Sequence, residues 1–254
     1  MNILYTICGR AGSKGFKNKN LKMMNNVPLI FYTLAAIRLY QDAHPEDRIF
    51  AALNTDSKEL MDIVSKQTIF PFVSLVNRKE NLAGDTVAKI DVIKDTYLTM
   101  KKDRVIDVVI DLDITSPLRR ICDIENVLAN YSANENYDLV YSVVKSRRSP
   151  YFNMVEKKKN NYFGKICQSD FIARQQVSAT YELNASIYAY RPGFLESEIK
   201  KTILEYRCGI AIMPDFLVLD IDSADDFKMM EYLHQYYCQH DEGLKLIYDI
   251  AMEK

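Results

Sequence analysis

The sequence predicts an α/β fold, doubly wound around a mostly parallel sheet, and three observations carry that prediction. Short apolar runs alternate with stretches of helical periodicity along most of the chain. One run, "VIDVVIDLDI", is apolar and largely β-branched except at Asp107, Asp111 and Asp113, as in a strand buried on both faces with a polar end. Three polar stretches, the loop after Gly9, "NTDS" and "DLDITSPLR", fall at the carboxyl ends of expected strands, where ligands collect in such sheets.

In order, "MNILYTIC" reads as a buried strand that stops at Gly9. A helix follows from Pro28 through "LIFYTLAAIRLY", since proline suits a helix start. "RIFAALNT" is the next strand, and Asp56 or Ser57 caps a helix through "KELMDIVSKQ". "FVSLVN" is a strand, and "DTVAKIDVIKDTYLTMKK" a helix with Asp85 or Thr86 near its start. After the "VIDVVIDLDI" strand, "TSPLRRICDIENVLANY" turns at Pro117 into a helix. "LNASIYAY" is a core strand, "FLVLDIDSADDFKMMEYLHQYY" a strand, a turn and a helix, and the last residues a polar tail.

A length of 254 residues, 48% hydrophobic and 26% charged, suits a single domain spanning 1–254. The pattern changes over residues 145–182, which are polar, dotted with aromatics and poor in helical periodicity. That segment reads as an insertion of strands and loops, with "EKKKNN" as a solvated hairpin tip. The formal net charge of -1 argues against a general nucleic-acid or membrane-surface binder, so any electropositive site must be local. No apolar run reaches the roughly 20 residues that span a bilayer. Five cysteines without a CxxC pair read as reduced thiols of a cytoplasmic protein. The three histidines form no ligand set and read as ordinary surface residues.

Two constellations carry chemistry. "ICGRAGSKGFKNKNLK" holds three glycines and five basic residues, and no acid appears before Asp42. Its spacing matches neither GxGxxG nor the GK[ST] ending of a P-loop. Glycines at 9, 12 and 15 still let backbone N–H groups point inward as an anion nest, to which Arg10, Lys14 and Lys19 add charge; the alternative is a solvated basic loop. In "LVLDIDSADDF", Asp220 and Asp222 lie two apart and would share a face of an extended chain, converging on a hard cation such as Mg2+. Equally, acids here can serve the N-terminus of the following helix. A basic nest and a cation site together suit a triphosphate with its metal.

These stretches resemble the acylneuraminate cytidylyltransferases, enzymes that make CMP-sialic acid and related CMP-nonulosonates. "GRAGSKGFKNKNL", "RKENLAGDT", "TSPLR", "ARQQ", "NASIYAY" and "LDIDSADDF" follow the family's motif order from Ile3 to Phe227. The resemblance implies a nucleotidyltransferase variant of the Rossmann-like sheet, transfer of CMP from CTP to the anomeric hydroxyl of a nonulosonic acid, and release of pyrophosphate. It implies that Arg10, Gly12, Ser13, Lys14, Lys19 and Asn20 hold the phosphates, with Arg78, Asp85 and Thr86 near the base and ribose. Asp113, Ser116 and Arg119 would border the sugar-acid pocket, and Arg174, Asn184 and Tyr188 would reach the acceptor. Asp220 and Asp222 would bind Mg2+, or Mn2+ in its place, and Arg10, Lys14, Lys19 and Asp222 would carry catalysis. The insertion would be the dimerisation segment of a homodimer, with Arg174 acting in the partner's site.

Some of these residues also have plain structural readings: Asn20 as a turn cap, Arg119 paired with Asp123 on one helix, Tyr188 as a core tyrosine. The chain departs from the family pattern at three places. Sialic-acid-using members carry Gln where Asp113 stands, some carry lysine near Phe152, for which Arg147 or Arg148 would substitute, and Ala185 replaces a glycine, a change expected to leave the strand intact. A carboxylate at 113 would repel an acidic substrate unless it is protonated, metal-bound or paired with a cation. The rival readings are a 3-deoxy-octulosonate cytidylyltransferase and a non-catalytic nucleotide-sugar-binding relative.

Overall fold

A computed structural model of the chain describes residues 1–12, 15–84, 86–159 and 161–253. Strand β1 (Asn2–Gly9) leads through a short hairpin, β2 (Met23–Met24) and β3 (Val27–Pro28), into helix α1 (Leu29–Ala43). Then come β4 (Arg48–Thr55), α2 (Lys58–Lys66), β5 (Val73–Asn77), α3 (Lys89–Met100), β6 (Val108–Leu112) and α4 (Ile121–Ala133). The second half holds β7 (Leu139–Lys145), β8 (Val155–Lys157), β9 (Phe163–Lys165), β10 (Tyr181–Tyr190), α5 (Pro192–Glu196), β11 (Cys208–Ile212), α6 (Ala224–Tyr237) and α7 (Glu242–Ala251).

Seven strands form one sheet in the order β11-β7-β10-β6-β1-β4-β5. β1 runs parallel to β4 and β6, β4 to β5, and β7 to β11, whereas β10 is antiparallel to both neighbours. The sheet is therefore mostly parallel. Alternation along β1 sends Ile3, Tyr5 and Ile7 into the larger core, with α1, α4 and α7, and Leu4 into a second core with α3 and α5. All five residues of β6 are buried, as its composition requires.

Several local expectations change. Ser57, not Asp56, caps α2, accepting from Leu60 N at 3.2 Å. α3 begins at Lys89, beyond Asp85 and Thr86. The expected strand before "DIDS" is a 3-10 turn (Asp215–Leu217) followed by irregular backbone; the sheet takes β11 instead. The polar tail is the amphipathic helix α7, capped by Asp241 and packed on α1 through buried Leu244, Ile247 and Ala251. Burial of such a side chain stabilises by about 1.5–3 kcal/mol, enough to dock a short helix. His234 is buried, edge-on to Tyr32 and Tyr248 and bonded to Asn25 at 2.7 Å.

β10 is not regular. Its register with β7 shifts between Leu183 and Tyr188, and Ala185 takes φ +50°. A left-handed backbone costs an L-residue about 1–2 kcal/mol, which glycine avoids at a smaller entropic cost. Ala185→Gly is expected to raise the unfolding free energy by roughly 0.5–1 kcal/mol. A urea titration showing a loss instead would mean that the methyl's packing outweighs the backbone strain.

Candidate active site

The site is built on the carboxyl ends of β1, β4, β5 and β6. Gly9 ends β1 where a Cβ would come within 2.6 Å of Leu60 Cδ2 and 2.9 Å of Ile114 Cδ1, so any larger residue would push those side-chain ends aside. Gly12 has φ +68°, the second turn that needs glycine. Side chains on both sides hold the loop. Asp56 accepts from Ala11 N at 2.8 Å, and buried Asn20 donates from Nδ2 to Arg10 O at 3.1 Å. Ser13 and Lys14, expected phosphate ligands, lie outside the described residues, as does Asp85.

The loop reaches the aspartate motif directly. Lys19 Nζ donates to Asp222 Oδ1 and to Ile221 O, both at 2.9 Å. A Cβ at Gly15 would lie 2.9 Å from Asp222 O, so this glycine permits the close approach. Ser223 and Asp226 form the capping box of α6, with Ser223 N donating to Asp226 Oδ2 at 2.8 Å. The helix start is thus served by other groups, and Asp220 and Asp222 precede it.

Arg10, Lys19, Asn20, Arg78, Asp113 and Asp220 line one cleft of about 290 Å³, walled on another side by Leu82, Gly84, Val87 and Val92. Arg78 is aimed by two bonds to Asn54, from Nε to Oδ1 at 3.0 Å and from Nη2 to the carbonyl at 2.9 Å. Thr86 is exposed beside this wall and does not line the cleft. Asp220 Oδ1 is buried and has no hydrogen-bond partner among the described residues. Burial, then the negative charges of Asp113 and Asp222, outweigh Thr115 and Lys19 and push the Asp220 carboxyl up to about 6. An unmatched hard oxygen beside a second, exposed carboxylate is a donor set that fits a divalent cation.

Lys89 is the residue that the sequence reading passes over. Its Nζ lies 2.6 Å from Asp111 Oδ2 and 2.7 Å from Asp113 Oδ2. Thr6 Oγ1 donates to Asp111 Oδ1 at 2.9 Å, and Thr115 donates from N and Oγ1 to Asp113 Oδ1 at 3.3 and 3.0 Å. Burial alone would raise the Asp113 carboxyl; Lys89 and Thr115 overcome it and hold the group below the usual carboxylate range. Burial would likewise lower the Lys89 ammonium, but Asp111 and Asp113 raise it well above its ordinary value. Position 89 opens the helix in "VAKIDVIKD", where a lysine reads as a solvated surface residue. Only the fold brings it over the end of β6.

Other expected contacts turn out to be internal. Arg119 is 0% exposed, so it does not line the cleft; its Nη2 donates to the carbonyls of Asp113 and of Ser116, the latter at 2.6 Å. Nor does it pair with Asp123, which takes Arg120 at 2.8 Å. Ser116 and Asn184 are buried, the Ser116 hydroxyl donating to Asn184 O at 3.2 Å. Asn184 joins β7 to the approach to "DIDS", accepting from Ser142 Oγ at 2.6 Å and donating to Leu217 O at 3.1 Å. Tyr188 lies beneath Lys89, 5.9 Å from Nζ to ring centre, and stacks on Tyr190. Arg174 lines a separate basic pocket of about 360 Å³ with Arg147, Arg148 and Phe152, outside the cleft.

A mostly parallel sheet whose strand ends carry a glycine-rich cationic loop and paired aspartates defines a nucleotidyltransferase. The chain belongs to the cytidylyltransferase family, whose profile matches residues 5–236. It is 35% identical over 238 residues to post-translational flagellin modification protein B of Campylobacter coli, covering 91% of this chain and 94% of that one. It is 33% identical over 235 residues to CMP-N,N'-diacetyllegionaminic acid synthase of Campylobacter jejuni, with 91% and 94% covered. It is 26% identical over 250 residues to N-acylneuraminate cytidylyltransferase of Streptococcus agalactiae, covering 98% of this chain and 57% of that protein. In fold it is similar to CMP:2-keto-3-deoxy-manno-octonic acid synthetase complexed with CTP, at TM-score 0.65 and 15% identity, over 93% of this chain and 100% of that one. Among the described residues no helix is long and apolar enough to cross a membrane.

Proposed function

We propose that this cytidylyltransferase transfers CMP from CTP to the anomeric hydroxyl of a nonulosonic acid of the sialic or legionaminic type. The observation that carries this reading is the contact of Lys19 with Asp222, which joins the cationic loop to the aspartate motif across 203 residues. The relatives' names supply the substrate class. The anomeric oxygen bonds to the α-phosphorus as the bond to the departing pyrophosphate breaks. Arg10 and Lys19 offset the charge gathering on that leaving group, and Arg78 is held rigidly for the nucleotide. Asp220 and Asp222 would hold Mg2+, or Mn2+ in its place, and the bound ion supplies charge neutralisation at the phosphates. Asp113 accepts from the acid's hydroxyls at the inner wall.

The unit is a single domain over 1–254 and acts in the cytoplasm as a homodimer. The segment from 145 to 182 supports the dimer, because Val155, Phe163 and Ile172 stand 61%, 71% and 87% exposed and call for a cover. Arg174 would then serve the partner's cleft. A fully active monomer in sedimentation at assay concentration would sink the dimer. The function itself is tested by pyrophosphate release from CTP and Mg2+ with a panel of eight- and nine-carbon keto acids. A nine-carbon acid is expected to be used best; preference for 3-deoxy-octulosonate, or no release with any acid, would overturn the reading.

A further inference from the structure

Both substrates of the proposed reaction are anions, yet the cleft carries Asp113 on its wall and Asp111 behind it. Lys89 contacts both carboxylates, at 2.6 and 2.7 Å, and its side chain keeps 37% of its surface open. Asp113 is locked on every side: Thr115 holds Oδ1, Lys89 holds Oδ2, and Arg119 holds its backbone carbonyl. A carboxylate fixed in this way, sharing one ammonium with Asp111, offers a hydrogen-bond acceptor with less of the repulsion that a bare one would exert on an acid. The ammonium has three N–H donors; it donates to Asp113 Oδ2 and lies against Asp111 Oδ2 as an ion pair. Lys89 and Asp113 together thus present a donor and an acceptor at the cleft wall.

We propose that Lys89 is a specificity-determining positioning residue, the internal counter-ion that makes Asp113 compatible with an acidic acceptor sugar. The inference rests on the function proposed above. It ties the two positions together: a lysine at 89 is needed because a carboxylate stands at 113 in front of Asp111, and removing both leaves Asp111 alone, with the same local charge balance as in the wild type.

The test measures KM for the sugar acid and for CTP separately, in the full-length enzyme, with the nine-carbon acid that the wild type uses best. Two like charges about 6 Å apart at an effective dielectric near 20 repel by enough for roughly a hundred-fold effect, and partial solvation reduces it. Lys89→Met is expected to raise the acid's KM by about ten-fold or more, with the KM for CTP moving less than about three-fold. Lys89→Arg, which keeps the charge, should stay near wild type. Lys89→Met/Asp113→Asn removes the pair and should bring the acid's KM back to within about three-fold of wild type. Where Lys89→Met fails to fold, Lys89→Gln, uncharged but still able to donate to a carboxylate, takes its place with the same expected rise in the acid's KM. A double variant as impaired as the single, or equal rises in both KM values, would overturn the counter-ion role. Wild-type enzyme inactive with every acid would instead overturn the function on which the inference rests.

Discussion

Asp222→Asn is expected to lower turnover by about a thousand-fold or more while leaving the protein folded. Two features make that separation sharp. Asp222 is 76% exposed, and among the described residues its side chain bonds only to Lys19, so its loss removes one surface ion pair worth less than about 1 kcal/mol. Catalysis is another matter, because an amide oxygen has neither the charge nor the basicity to hold a hard cation, and removing one charge-stabilising group of this kind costs about 100- to 1000-fold or more. Pyrophosphate release at saturating CTP and acid reads the first effect, and thermal unfolding the second. Asp225→Asn is the control: Asp225 is exposed in the first turn of α6, makes only a 3.9 Å contact to Lys228, and should be fully replaceable. Undiminished turnover in Asp222→Asn would remove the metal assignment, and a matching loss in Asp225→Asn would mean that the whole helix start, not the aspartate pair, is being perturbed.

How far the site could be read from the sequence follows from what kind of signal each residue leaves. Glycines at forced backbone positions leave a strong one. Gly9, Gly12 and Gly15 each answer to a close approach or a positive φ, so the tight course of the loop was legible from its glycines. The aspartates of "DIDS" were legible as a pair, but their joining to Lys19 was not, since nothing local in either stretch encodes a contact across 203 residues. Lys89 left no signal for the same reason. Its importance comes from the parallel pairing of β1 with β6 and from the position of α3 above them, which together bring one helix start over two aspartates.

Elements with a clear apolar run were legible, and those whose flanks are polar or glycine-bearing were not. β1, β4, β5 and β6 stand close to where their apolar runs place them, because a both-face-buried strand needs such a run. β11, no shorter than β5 or β6, opens on Cys208 and Gly209, and α7, longer than α2, starts within the polar run "QHDEG", so composition around each hid it. At Ala185 the motif pointed to a simple strand, but the chain keeps the left-handed turn that glycine would favour and absorbs it in a bulge. Motif order located Ser116, Arg119 and Asn184 near the site. It could not say that they support the site from behind rather than face it, since burial is a property of the packed molecule.

Arg119→Ala is therefore expected to act on stability before it acts on binding, with a loss of about 3–5 kcal/mol. The guanidinium is wholly buried, and burial pulls it down to about 10 despite the opposing fields of Asp113, Asp111 and Asp123. It is kept there by what it holds: the carbonyls of Asp113 and Ser116 and, at 3.4 Å, the hydroxyl of Thr33. Truncation would leave those carbonyls without their donor inside the protein and open a cavity beneath the turn that carries Asp113. At this chain length a loss of that size corresponds to a fall of roughly 6–20 °C in the unfolding midpoint. Arg119→Met, which fills most of the volume but donates nothing, should fall between Ala and wild type, apportioning the effect between packing and hydrogen bonding. A residue that bordered the sugar would behave in the opposite way, with an unchanged melting temperature and a raised KM for the acid. That outcome would show Arg119 to face the substrate after all, and would reopen the assignment of the turn from Asp113 to Ser116 as a wall supported from behind.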